Sequence, residues 1–372
     1  MIDLRAQHAG IRKDIRAALE RVIESQHFVL GPEGEALERE VARYSERRFG
    51  IGVASGTDAI MLGLRACGVG AGDEVIVPAF TFIATAGAVS ALGARPVFAD
   101  CDPRTLNVDP ESVRARLGPR TAAIVAVHLY GLAAELDALA AIATERGVPL
   151  VEDNAQSLGA TFRGKKAGSF GAISTTSFYP SKNLGAFGDA GMILTDSQEI
   201  AERLKRLRNH GQRGRYVSAE PGWNSRLDEM QAAVLRVKLR RLDKWIAARR
   251  AHAARYAKRL AKIEGVKPLE TPEYCKHTYY LYSVRIPSEG TNPAERRDRV
   301  VRRLGEQGIS TGVYYPVPLH LQPIYAPLGG KAGDLPESER AAQEVVSLPL
   351  YAEMTAEQVE RVAGAVAGAL RR

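Results

Sequence analysis

At 372 residues, 45% of them hydrophobic and 25% charged, the chain can bury a sizeable core unaided, which excludes a disordered segment and a small stapled domain. Its three cysteines, Cys67, Cys101 and Cys275, are far apart and odd in number, so no metal-ligand spacing and no disulfide framework fits, and a reducing, cytoplasmic setting is expected. The net charge of +8 is spread along helical stretches among Glu and Asp, with no basic run interleaved with aromatics, which argues against nucleic acid as a partner and leaves a modest bias toward anionic small molecules.

The opening Met1-Ile2-Asp3-Leu4-Arg5 lacks the apolar core of a signal peptide. Ile11, Ile15, Leu19, Val22 and Ile23 recur at helical spacing and predict an amphipathic helix stopped by Gly31-Pro32; Leu37, Val41 and Tyr44 mark a second helix. From Ile51 to about Thr195, short β-rich runs alternate with helical stretches: Glu74–Val77, Arg95–Ala99, Ala122–Val127, Pro149–Glu152, Ala172–Ser177 and Met192–Thr195. That alternation predicts an α/β domain with a mostly parallel sheet. In such sheets chemistry gathers at the carboxyl ends of strands, where Asp153 and Ser177 fall. Gly68, Gly70 and Gly72 precede the strand Glu74–Val77 instead of following one, so they read as a turn and not as a dinucleotide fingerprint.

Residues 75–94 carry no charge over about the length of a membrane span. Pro78, Thr81, Thr85, Gly87, Ser90 and Gly93 suit a strand, a turn and a buried helix better, and no membrane partner is expected. Further on, Ser225 and Asp228 resemble a helix start. Met230, Val234, Val237, Arg241 and Trp245 share a face, and this helix is expected to run past Arg250 to Leu260 as the bridge out of the large domain. Tyr279–Ile286 reads as a strand, Arg296–Gln307 as a helix, Leu328–Ser338 as a flexible loop and Met354–Leu370 as a terminal helix.

The chemistry-bearing residues cluster in four segments. Lys182 lies in Ser177-Phe178-Tyr179-Pro180-Ser181-Lys182-Asn183-Leu184-Gly185 and follows the acidic strand end Glu152-Asp153. One cofactor, pyridoxal phosphate, needs both halves of that pair: an amine to hold it as a Schiff base and a carboxylate to keep its ring nitrogen protonated. Pro180 bars regular structure just upstream, and Ser177 can donate to a phosphate. Ser55-Gly56-Thr57 sits where a loop enters a helix, a place suited to phosphate, although an ordinary helix cap reads the same way. Asp153 could equally cap a helix, Gln156 could be a surface amide, and His128, following Ala122–Val127, suits a satisfied core histidine.

With Asn224-Ser225-Arg226-Leu227-Asp228-Glu229-Met230-Gln231-Ala232-Ala233, these segments resemble the DegT family of pyridoxal-phosphate-dependent sugar aminotransferases, from about Ile2 to the C-terminus. The resemblance implies fold type I: a large α/β domain over 1–250, its mixed, mostly parallel sheet sandwiched by helices, and a smaller α+β domain over 251–372. It implies Lys182 and Asp153 as catalytic residues, Gly56, Thr57 and Ser177 at the cofactor phosphate, Gln156 at its hydroxyl, and Phe82 stacked on its ring, with Phe80 as competitor. Asn224 would reach the phosphate of the neighbouring subunit's cofactor, so a homodimer with shared active sites is implied. Tyr179, Arg226, Tyr314, Tyr315 and His320 are the substrate candidates; Tyr314 stands where several relatives carry His, and Arg226 could equally form a helix-start salt bridge.

The implied reaction is ping-pong transamination through pyridoxamine phosphate. L-glutamate is the implied donor, and a nucleotide-diphosphate 3-keto sugar, a dTDP-3-keto-6-deoxyhexose or a UDP-3-keto sugar, is the acceptor. A 4-keto acceptor is the first alternative. Family members that dehydrate sugars replace the lysine with histidine or add iron–sulfur ligands, and this chain does neither. A non-catalytic, regulatory pyridoxal-phosphate-binding protein is the alternative of another class.

Overall fold

The β-rich runs of residues 49–195 assemble into one seven-stranded sheet in the computed structural model, which describes residues 1–287 and 294–371. In chain order its strands are β1 (Phe49–Val53), β2 (Glu74–Pro78), β3 (Arg95–Ala99), β4 (Thr121–Val127), β5 (Leu150–Asp153), β6 (Ile173–Ser177) and β7 (Gly191–Thr195). They lie in the order β1-β7-β6-β5-β4-β2-β3, and only β7 runs antiparallel to its neighbours. The mostly parallel sheet read from the sequence is the one observed. Strand β1 went unread because its two glycines, Gly50 and Gly52, dilute the apolar alternation.

Side-chain alternation divides the sheet's residues between two cores. Val75, Val77, Val125, Val151 and Ile193 face α4 (Gly56–Ala66), α5 (Ala84–Ala91) and α8 (Gln198–Leu207). Ile76, Ile124, Ala126 and Leu150 face α7 (Leu136–Arg146) on the other side, beside α6 (Pro110–Ala115). The uncharged stretch 75–94 is thus β2, a turn and the buried α5, and no helix among the described residues is long and apolar enough to cross a membrane.

Three helices precede the sheet: α1 (Leu4–Ala9), α2 (Arg12–Ser25) and α3 (Pro32–Tyr44). Helix α2 ends at Ser25, before the expected stop, because Gln26 turns left-handed (φ 55°). Gly31-Pro32 instead starts α3, whose free N–H groups at Gly31, Glu33 and Gly34 all donate to the buried carboxylate of Glu229.

The bridge expected as one helix is two, α9 (Glu229–Leu239) and α10 (Leu242–Leu260), broken at Arg240-Arg241. Ser225 does not cap α9; its hydroxyl donates to Asp58 (2.7 Å) and accepts from the N–H of Ala54. Helix α10 runs unbroken through residues 250 and 251. Its Leu242 and Ile246 pack with the large domain, and its Ala253, Tyr256 and Leu260 with the second core. That core holds a three-stranded antiparallel sheet, β8 (Lys267–Pro268), β9 (Tyr282–Arg285) and β10 (Val345–Leu348), against α11 (Ala294–Glu306) and α13 (Ala356–Leu370). The loop expected over 328–338 is shorter, because Pro336 opens α12 (Pro336–Glu344).

Candidate active site

A cavity of about 410 Å³ opens over the carboxyl ends of β5 and β6, between the large domain and the start of the smaller one. The sheet delivers Asp153 and Ser177 there because each is the last residue of its strand. Lys182 reaches the same space from a tight loop, where its N–H returns to the carbonyl of Tyr179 (2.8 Å) and Ala186 N–H to that of Phe178. Its amine stands 4.6 Å above the ring of Tyr280. Gly56 and Thr57 open α4 at one end, with Ser55 as N-cap accepting from the N–H of Asp58.

Asp153 is buried. Thr85 donates its hydroxyl to one carboxylate oxygen (3.1 Å) and the N–H of Ala155 to the other (3.1 Å). Burial pushes its carboxyl above the usual range; the Ala155 N–H, the Lys182 charge and the Thr85 hydroxyl pull the other way without cancelling it. A cation held beside it would reverse that balance. Its neighbour Glu152 points to the opposite face, where it accepts from the N–H groups of Gly168, Phe170 and Gly171 and meets His128 (3.0 Å). Burial opposes ionisation there too, but the hydrogen bond from His128 and those N–H groups outweigh it and hold the carboxyl low. His128 accepts from Ala134 N–H with its other nitrogen, so it is the satisfied core histidine the sequence suggested.

Gln156 accepts from the N–H of Tyr130 (2.7 Å) and donates to the hydroxyl of Tyr315 (3.2 Å), which fixes both at the cavity wall. Phe82 turns its ring into the open space, 53% exposed, and meets Tyr315 at 6.0 Å. Phe80 is buried in the core and does not line the cavity. Tyr179 and Tyr314 complete the wall.

Three candidates fall elsewhere in this chain. His320 packs against Glu339 at the rim of a different cavity. Arg226 donates to Asn209 (3.0 Å), and Asn224 is exposed on a bridge to Asn209; neither lines the cavity. Sequence reading missed Thr85, Thr81 and Tyr280. Thr85 lies in α5 and Thr81 in the turn before it, so no helical spacing links them. Tyr280 gave no signal, since only the tertiary fold brings it to Ser181, 3.3 Å from its hydroxyl.

The cavity suits pyridoxal phosphate. The N–H groups of Gly56 and Thr57 have no partner within the helix and face the space at its positive end. Thr81 adds a buried hydroxyl with no hydrogen-bond partner among the described residues. A Cβ at Gly56 would stand 2.5 Å from that of Ser177, so only glycine leaves a cradle between them.

The sequence profile of the DegT/DnrJ/EryC1/StrS aminotransferase family matches residues 9–367. The chain belongs to that family. It is 44% identical to a dTDP-3-amino-3,4,6-trideoxy-alpha-D-glucose transaminase from Streptomyces venezuelae, over 98% of this chain and 94% of that one. It is 43% identical to a UDP-N-acetyl-3-dehydro-alpha-D-glucosamine 3-aminotransferase from Acidithiobacillus ferrooxidans, over 98% and 95%. It is also 46% identical to a "pleiotropic regulatory protein" from Geobacillus stearothermophilus, over 99% and 97%. Among solved structures it superposes on S. venezuelae DesV in complex with a ketimine intermediate, with a TM-score of 0.95, 44% identity and coverage of 100% and 98%. It matches Bacillus subtilis NtdA with bound PMP at a TM-score of 0.90, 33% identity and coverage of 97% and 82%.

As a member of this aminotransferase family, the enzyme works with pyridoxal phosphate, which supplies an electron-accepting ring when bound. The residues divide the remaining work. The start of α4 and Ser177 would hold the phosphate, Phe82 would cover one ring face, and Asp153 would hold a proton on the ring nitrogen. Lys182, lining the same cavity, is placed to move protons: as a free amine its Nζ would take one from the donor's α-carbon, and as an ammonium it would deliver one in the reverse half-reaction. Gly56→Ala is expected to weaken cofactor binding about 10–100-fold, the scale of overpacking a tight site, as read by equilibrium titration of cofactor into apoenzyme.

The Lys182 loop is pinned from α9. Gln231 accepts from Phe187 N–H (2.7 Å), and the buried amine of Lys238 donates to the carbonyl of Gly185 (2.6 Å). Burial pulls Lys238 down to about 8, partly offset by the charge of Glu353. Between that value and the ordinary lysine range the unfolded chain binds more protons than the folded one, so this group makes stability rise with pH over about 8–10.5. Lys238→Met is expected to remove that rise, on the order of 3 kcal/mol at most, in paired denaturant titrations across the window.

Proposed function

We propose that this enzyme transfers the amino group of L-glutamate to carbon 3 of a keto sugar carried on a nucleotide diphosphate, in the cytoplasm, as a homodimer. The supporting observation is that relatives above 40% identity, matched over nearly their whole length, carry names specifying 3-amino or 3-dehydro sugars on both dTDP and UDP. The reaction is ping-pong: glutamate leaves as the keto acid before the sugar enters. The positive balance of the chain suits a diphosphate.

The dimer reading has its own support. Phe28, Val29 and Leu30 are half exposed, and the hairpin Gln212–Gly214 with Val217–Ser218 carries Tyr216 at 82% exposure and Val217 at 63%. Such apolar surface suits burial against a second copy, which would bring Asn224 and Arg226 to the neighbouring cavity.

The test is to prepare the pyridoxamine form with glutamate and mix it with nucleotide-linked 3-keto and 4-keto sugars. Return of the visible absorbance of the lysine-bound cofactor with 3-keto sugars is expected. Return with 4-keto sugars alone would overturn the regiochemistry. Failure of the glutamate half-reaction with every amino donor would instead favour a regulatory protein, as one relative's name would have it.

A further inference from the structure

His320 and the glycine-rich segment after it build a second cavity, of about 240 Å³, between the edge strand β3 and residues 320–335. It shares no lining residue with the active site. The ring of His320 is only 3% exposed, and its Nε2 lies 3.1 Å from the carboxylate of Glu339. A carboxylate takes only a donor, so Nε2 carries a proton, and in the neutral ring Nδ1 is then an acceptor. Nδ1 is buried with no partner among the described residues. The hydroxyl of Tyr325, 4% exposed beside Phe98, is orphaned in the same way. Both residues line one cavity; their unpartnered atoms are closed off from its open space in this conformation, and a small side-chain shift would bring them to a ligand or ordered water carrying hydroxyl groups.

The rest of the lining supplies charge and an apolar strip. Arg95 and Arg116 present guanidinium groups, and Arg95 has only a loose contact with Glu74 (3.9 Å), which is already held by Arg120 at 2.6 Å. Phe98 and Leu328 form the apolar side. Among the described residues the one lining carboxylate, Asp334, accepts from the N–H of Lys331 (2.8 Å). Guanidinium forks match phosphate oxygens, while a buried acceptor and a phenol match sugar hydroxyls.

We propose that this cavity is a second binding site, for a small sugar phosphate. The claim does not depend on which keto sugar the active site aminates. Its wall is tied to the active site: Leu319 N–H donates to the carbonyl of Ala79 (2.8 Å) at the end of β2, and Tyr315, on the active-site wall, lies five residues before His320.

The experiment is calorimetric titration of the holoenzyme with glucose 1-phosphate and glucose 6-phosphate, with saturating uridine and thymidine diphosphates present to occupy the catalytic cleft. Glucose and inorganic phosphate serve as comparators. One sugar phosphate is expected to bind more tightly than either comparator. Arg95→Ala with Arg116→Ala should weaken it about tenfold or more, and Tyr325→Phe about threefold, while amino transfer without the probe stays within about twofold. Both arginines are surface residues and Phe keeps the ring of Tyr325, so the fold is not at stake. No binding up to about 10 mM, binding that these variants leave unchanged, or inorganic phosphate binding as tightly as the esters would each overturn the proposal.

Discussion

Lys182→Ala is expected to abolish amino transfer and, with it, the visible absorbance of the lysine-bound cofactor. The loss should reach or exceed the upper end of what a positioned acid–base group supplies, about 10⁴-fold, because on the proposed reading the same nitrogen would both anchor the cofactor and move the proton. No other lysine lines the cavity among the described residues, so none is placed to substitute. Lys182→Arg should be as inactive, since a guanidinium stays protonated and cannot serve as the base. Stability should change by about 1 kcal/mol or less, the scale of the cation–ring contact with Tyr280 that is lost. A small external amine such as ethylamine should restore part of the proton transfer in the Ala variant and none in the Arg variant. Turnover retained by Lys182→Ala without added amine would remove Lys182 from the mechanism.

The sheet was legible because most of its strands are short apolar runs flanked by turns and covered on both faces. The misses were of two physical kinds. Glycine in β1 is chosen for close packing, not for strand propensity: a Cβ at Gly52 would meet Leu227 at 2.8 Å. The break between α9 and α10 involves no Gly or Pro, so the 3.6-residue period carried straight across Arg240-Arg241 without a stop signal. Gly31-Pro32 was misjudged in direction: the pair that ends a helix can also begin one, and Glu229, almost two hundred residues away, decides which.

The site divides along similar lines. Asp153, Ser177 and Gly56 were readable because strand ends and a helix start place them, and those are local features; Lys182 follows on the loop just after β6. His320 was not, because its segment crosses from the smaller domain to the sheet edge and only the pairing of Leu319 with Ala79 sets where it lands. Tyr315 and His320 sit five residues apart in sequence yet line two cavities in this chain, where the family resemblance had grouped them in one.

Asp153→Asn separates a structural carboxylate from a functional one, since the two readings predict opposite signs. In the cofactor-free protein, burial raises the pKa of Asp153 above its unfolded value, so the folded state binds more protons than the unfolded state from the ordinary carboxylate range up to the raised value. Over that window its contribution to stability falls as pH rises, and it stays unfavourable at neutral pH. An amide keeps the size of the side chain and can still accept from Ala155 N–H, so apo Asp153→Asn should be at least as stable as the parent in thermal unfolding at neutral pH. With the cofactor the sign reverses. A neutral amide cannot hold a proton on a pyridine nitrogen, and breaking a buried charge pair costs about 3–5 kcal/mol, which corresponds to about 10²–10⁴-fold in the rate of the glutamate half-reaction. A stable apoenzyme combined with a slow half-reaction marks a residue kept for chemistry against its own folding cost. An Asn variant that turns over within about tenfold of the parent would mean that another group holds the ring nitrogen's charge.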